Sequence, residues 1–216
     1  MPQRWARLSA AASFVLLACA CAPADSPDRA GGAGPTTEAI RLLDATGGEL
    51  VLPAPARRVV SLVPSATETL RAMGRDGVLV GRTDYDRQTW AVALPSVGGG
   101  LEPNLEAIVA LAPDLVIRFA GEQDARTPAR LASLGIPVLA VRPDRIEDIF
   151  RTIELLGDAI GARPAADSLA TSIRDGLREA GDRARPLPRV RVAYALGGTP
   201  PWVAGPGTYI DEVVSL

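Results

Sequence analysis

Arg58-Val-Val-Ser-Leu-Val-Pro-Ser-Ala-Thr-Glu-Thr-Leu70 reads as a strand that hands directly to a helix. Val59 to Val63 is a short β-branched run bounded by Pro64, the pattern of a buried strand. Ser65-Ala-Thr-Glu68 has the spacing of a capping box, which predicts a helix through Met73 with Gly74 as its stop. A buried strand followed at once by a helix is the unit of a parallel sheet covered by helices.

The same alternation extends in both directions. Upstream, Ile40–Leu43 and Glu49–Leu52 flank the turn Asp44-Ala-Thr-Gly-Gly48, which predicts a hairpin. Downstream, Val78–Val80 is a strand ending in the loop Gly81-Arg-Thr-Asp-Tyr-Asp86. Asn104 is placed to cap a helix Leu105–Leu111, with Glu106 in the first turn, where the helix dipole favours a carboxylate. Leu115–Ile117 is a strand, Arg126–Leu134 a helix closed by Gly135, and Val138–Val141 a strand. Asp144-Arg-Ile-Glu147 has the spacing of a second capping box and opens a helix to about Ile160. Pro164 suits the first position of a long helix whose apolar residues Ala166, Leu169, Ile173, Leu177 and Ala180 recur at helical spacing. That helix runs to about Ala184 and is roughly 30 Å long at 1.5 Å per residue. Pro186 and Pro188 break it, and Val190–Tyr194 starts another strand.

Composition narrows the function. Of 216 residues, 47% are hydrophobic and 22% charged, which suits a packed protein. A net charge of -2 leaves no basic footprint for nucleic acid. The chain has no histidine, so Ser-His-Asp and Cys-His nucleophiles and His-ligated zinc or haem are excluded for these residues. No phosphate-loop, dinucleotide-glycine or nucleophile-elbow motif is present. These features argue against the rival reading, a hydrolase or oxidoreductase on a similar scaffold, and no cofactor is expected.

Residues 1–18 carry two arginines and then an apolar run from Leu8 to Ala18, the form of a signal peptide too short to span a bilayer comfortably. Leu16-Leu17-Ala18-Cys19 resembles the lipobox of bacterial lipoproteins, which implies lipidation at Cys19. Cys21 is a competing site, and an ordinary signal peptide is the alternative. Both cysteines lie here, so the folded part holds no disulfide and no cysteine metal site. Residues 19–38 are small, polar and rich in Pro and Gly, and read as a flexible linker from the lipid.

Four runs, in order, resemble one family: the helical-backbone substrate-binding proteins of bacterial ABC importers for cobalamin, haem and iron-siderophores. They are Arg58 to Leu70, Pro103-Asn-Leu-Glu-Ala-Ile-Val-Ala-Leu-Ala-Pro-Asp-Leu-Val-Ile117, Leu131-Ala-Ser-Leu-Gly-Ile-Pro-Val138, and Pro200-Pro-Trp-Val-Ala-Gly-Pro-Gly-Thr-Tyr-Ile-Asp-Glu212. The resemblance implies two α/β lobes joined by one long helix, with ligand between them. It assigns residues 39–163 to the first lobe, 164–186 to the connecting helix and 187–216 to the beginning of the second. It therefore implies a C-terminally truncated chain, whose residues 190–216 have little to bury their apolar surface against.

The resemblance also implies an exported, lipid-anchored, monomeric protein that captures a small-molecule ligand for an importer permease and is not an enzyme. Tyr85 matches a ligand-contacting tyrosine of cobalamin-binding members, and its flat apolar face with one hydroxyl suits a large ring. Trp202 matches a cleft-facing aromatic of the second lobe. Glu106 matches a glutamate that pairs with permease arginines. Arg82 and Arg118 are candidates for ligand carboxylates. Each has a plainer reading: loop packing for the aromatics, a dipole-favoured helix start for Glu106, solvated surface for the arginines. Cobalamin is the leading ligand, with haem and ferric siderophores open. Zinc or manganese is disfavoured, because relatives that bind those metals use several histidines. A surface scaffold lipoprotein is the remaining alternative.

Overall fold

The computed structural model describes residues 39–121 and 126–216. The signal segment, Cys19, Cys21 and the linker to residue 38 lie outside the described residues. β1 (Ile40–Leu43) and β2 (Glu49–Leu52) form the expected antiparallel hairpin. Its turn is held by Asp44, whose Oδ1 accepts the N–H groups of Thr46 at 2.8 Å and Gly48 at 3.0 Å.

The central sheet is fully parallel, in the order β4 (Leu79–Gly81), β3 (Val59–Ser61), β5 (Leu115–Phe119), β6 (Val138–Val141). Strands buried on both faces read as continuous apolar runs, and the two-residue side-chain period then sorts them. Val59, Leu115, Ile117, Leu139 and Val141 face one cluster, closed by α1 (Pro64–Ala72), α4 (Ile146–Ala159) and α5 (Arg163–Ala184). Val60 and Val116 face the other, closed by Ile108 of α2 (Leu105–Ala110) and Leu131 of α3 (Arg126–Ser133). The long α5 packs along α4 at Gly157, where a Cβ would lie 2.4 Å from that of Ala166. Only glycine admits that approach.

Three local expectations need correction. The helix after β3 starts at Pro64, not at a Ser65 cap: its N-cap is Val63, which makes no side-chain cap hydrogen bond. Proline fits the first turn because the N–H it lacks would have been unpaired there, which makes Ser65 an interior residue and removes the capping role of Glu68. The box at α4 is displaced by one residue. Arg145 is the N-cap and its N–H donates to Asp148 Oδ2 at 3.0 Å, not to Glu147. Asp144 stays outside the helix because its carboxylate takes Arg142 Nε at 2.6 Å and its carbonyl takes the Tyr209 N–H at 2.7 Å.

The third correction is larger. Val190–Tyr194 is not a strand; its residues are exposed, and it belongs to none of the sheets among the described residues, touching the following hairpin only where Tyr194 O accepts the Ala204 N–H at 3.0 Å. The extended backbone needs a lateral partner for its N–H and C=O groups. Instead β7 (Ala195–Leu196) and β8 (Trp202–Val203) make a two-stranded hairpin, followed by α6 (Tyr209–Val214). Nor is the segment without partners. Glu212 of α6 accepts the Ile146 N–H at 2.7 Å and pairs with Arg145, satisfying the open first turn of α4.

Candidate functional site

The helices leave β3 and β4 on opposite faces: α1 follows β3 on one side, and α2 follows β4 on the other. Between them the carboxyl ends of the strands open a crevice, the place where open α/β sheets hold ligands. A concavity of about 650 Å³ lies there, lined by Leu62 to Pro64 after β3, Tyr85 and Gly99 to Glu102 after β4, and Phe119 at the end of β5. Three adjacent strand ends contribute, and most of the lining is apolar.

Tyr85 is 64% exposed and Leu101 and Phe119 are the other large apolar side chains at the rim. The loop that carries Tyr85 is fastened at several points. Thr83 and Asp86 are fully buried, and the Thr83 N–H and Oγ1–H both donate to Asp86 Oδ2, at 2.9 and 2.7 Å. The Tyr85 N–H donates to Thr83 Oγ1 at 3.2 Å. The Asp84 N–H donates to Gly98 O, and Ser96 Oγ donates to the Asp84 carboxylate at 2.6 Å. Gly100 brings the far wall in: a Cβ there would lie 2.5 Å from Leu62 O, so any other residue would push the loop off the β3–α1 turn.

Of the individual residues named from sequence only Tyr85 lines this concavity, while Pro64 and Phe119 belong to strand-end loops, residues 64–67 and 118–121, where ligand was expected. Arg82 is spent on its own loop, donating to Ala91 O at 3.0 Å and Thr83 O at 2.7 Å. Arg118 donates to Phe119 O at 2.8 Å and so braces the β5 end. Trp202 stands 75% exposed on the β7–β8 hairpin, beside Gly198, and does not join Tyr85. Glu106 is exposed in the first turn of α2, whose N-cap Asn104 accepts the Ala107 N–H at 3.0 Å as expected. Phe119, Leu101 and the glycine pair were not singled out. Phe119 lay two residues past the expected strand end. The run Gly98-Gly-Gly100 was the one available signal of a close backbone approach.

Among the described residues no cluster of three or more His, Cys, Asp or Glu is placed to hold a metal ion, and no helix is long and apolar enough to cross a membrane. The periplasmic binding protein family matches residues 59–216, nearly the whole described chain. The chain belongs to the periplasmic binding protein family. A vitamin B12-binding protein of Yersinia pestis is 35% identical over 170 residues, covering 77% of this chain and 60% of the relative. An uncharacterized ABC transporter substrate-binding lipoprotein of Bacillus subtilis is 27% identical over 98% of this chain and 69% of its own length. Among solved structures, a periplasmic heme binding protein from Pseudomonas aeruginosa superposes with a TM-score of 0.64 at 27% identity, over 71% of this chain and 58% of that one. The chain thus spans about three fifths of the length of two of these three. Membership in the periplasmic binding protein family agrees with the parallel sheet and with a cleft at the carboxyl ends of its strands.

Proposed function

We propose that this protein is the exported, lipid-anchored component of an ABC importer that captures cobalamin and presents it to the permease. The observation that carries the reading is the apolar concavity at the ends of β3, β4 and β5, with the Tyr85 ring standing at its rim. A flat ring beside Phe119 and Leu101 offers stacking and apolar burial to a large planar ligand, with one hydroxyl for orientation. The similarity to a vitamin B12-binding protein favours cobalamin.

Haem is the second reading, favoured by the heme-binding neighbour and by the Tyr85 phenol, a group able to ligate haem iron. A ferric siderophore is the third reading, and it would draw on Arg118, because the Arg82 guanidinium is already bonded to backbone carbonyls. Glu106, exposed and off the concavity, is assigned to the permease, where it would meet arginines. Trp202 is assigned to the ligand from the hairpin side. Cys19 is assigned as the lipidated residue, a reading supported by the similarity to a lipoprotein.

Calorimetric titration with cyanocobalamin and haemin, paired with an uptake assay, tests this. Tyr85→Ala is expected to weaken binding by about 1 to 3 kcal/mol, a hot-spot loss. Glu106→Ala is expected to leave binding intact and to reduce uptake. Binding of neither ligand sinks the assignment, and lost binding in Glu106→Ala moves that carboxylate into the cleft. Cys19→Ser is expected to release the protein from membranes on fractionation; unchanged fractionation removes the anchor.

A further inference from the structure

We propose that the buried Thr83–Asp86 pair is a pedestal that holds Tyr85 in its ligand-ready position, so that two residues which do not line the cleft set its affinity. The proposal rests on the cleft reading above. Tyr85 is 64% exposed, yet Thr83 and Asp86, two residues before it and one after, are fully buried. An exposed ring on an unanchored loop samples many positions, and ordering it opposes binding. Here one hydroxyl clamps the loop around residue 85. Thr83 Oγ1 donates to Asp86 Oδ2 at 2.7 Å and accepts the Tyr85 N–H at 3.2 Å.

The pedestal is itself anchored. The Asp84 N–H reaches Gly98 O at 2.9 Å, and the Asp84 carboxylate takes the Ser96 hydroxyl. Arg82 ties the base of the loop to Ala91 and Thr83 carbonyls. Packing alone does not account for a buried carboxylate at position 86. An apolar side chain of similar size would fill the space without the desolvation penalty of a charge. What the carboxylate adds is direction: both bonds from Thr83 converge on the same oxygen, Oδ2, and set the turn that presents the next ring. Thr83 and Asp86 are therefore positioning residues, acting through Tyr85.

A double-mutant cycle separates this from a plain structural role. Thr83→Val keeps the shape and removes the hydroxyl; Thr83→Ser keeps the hydroxyl. With cyanocobalamin as probe, Thr83→Val, which removes both hydrogen bonds of the hydroxyl, is expected to weaken binding about five- to tenfold, and Thr83→Ser to stay within about twofold of wild type. On a Tyr85→Ala background, Thr83→Val should have no further effect. Wild-type affinity in Thr83→Val, or an undiminished loss on the Tyr85→Ala background, overturns the proposal. Amide exchange supplies a ligand-free arm: Thr83→Val should speed exchange at Tyr85 about tenfold, with Val59–Ser61 unchanged. Should wild type bind neither cyanocobalamin nor haemin, the cleft reading falls and the exchange arm alone decides. Equal Tyr85 exchange in Thr83→Val and wild type then overturns the pedestal as well.

Discussion

Val59–Val63 and Val190–Tyr194 are five-residue runs rich in valine, and they end in opposite states. The first supplies β3, with Val59, Val60 and Ser61 wholly buried between two parallel neighbours. The second is exposed irregular chain, with Val190 at 77% and Val192 at 59% exposure. Local propensity is similar in the two. What differs is the presence of strands on either side and of helices above and below. β-propensity is largely the fit of a side chain to a pleated, half-buried surface, and without that surface it decides nothing. The α6 helix makes the same point from the other direction, since it is held by Glu212 against the open end of α4 and buries none of its own residues fully.

The contrast is sharpest in stability. Leu70→Ala removes a fully buried side chain beneath the sheet and is expected to cost about 2 to 5 kcal/mol. Val192→Ala should lie within about 0.5 kcal/mol of wild type. Urea unfolding of both variants measures the difference, and similar midpoints would erase the distinction between the regions. Next in size is Glu212→Ala, which leaves the Ile146 N–H without its acceptor and frees Arg145. About 1 to 2 kcal/mol is expected, read as faster amide exchange across residues 209–214 and the first turn of α4, with β3 and β5 unaffected. Spread of that change into the sheet would show the α6 contact to be part of the core. A smaller loss is expected on the helix layer that covers the sheet. Asn104→Ala deletes the cap of α2 and should cost about 1 kcal/mol by the same urea assay, with the position of Glu106 loosened.

Residues 40–184 were largely legible from sequence because their elements are dense in local signals. The Val138–Val141 strand and the Asn104 cap came out at the expected residues. The capping box at Ser65 did not, because the motif is satisfied by spacing alone and the proline before it makes an equally good first helical residue. At α4 the motif was one residue out, since Asp144 is engaged by Arg142 and by Tyr209 from far along the chain. No local window contains that second contact. The candidate site divided in the same way. Tyr85 was visible as an aromatic in a loop after a strand, in a chain poor in aromatics. Phe119 fell within the strand-end loop expected at residues 118–121 but was not named itself, because the strand runs two residues longer than its apolar core suggests.

Sequence alone determined the strand–helix alternation, the two-faced burial of the central strands, the exclusion of histidine chemistry and the family. The first three follow from period, propensity and residue type, which act over a few neighbours, and the family from the resemblance of four motif runs in order. Tertiary structure alone decided which loops meet. It set Gly100 against Leu62, turned Arg82 from a ligand candidate into a brace, and buried Asp86 against Thr83. The Gly100–Leu62 approach depends on segments that the sheet order, rather than the chain order, makes adjacent, whereas Arg82 and Asp86 are fixed within a loop that has no regular period to read.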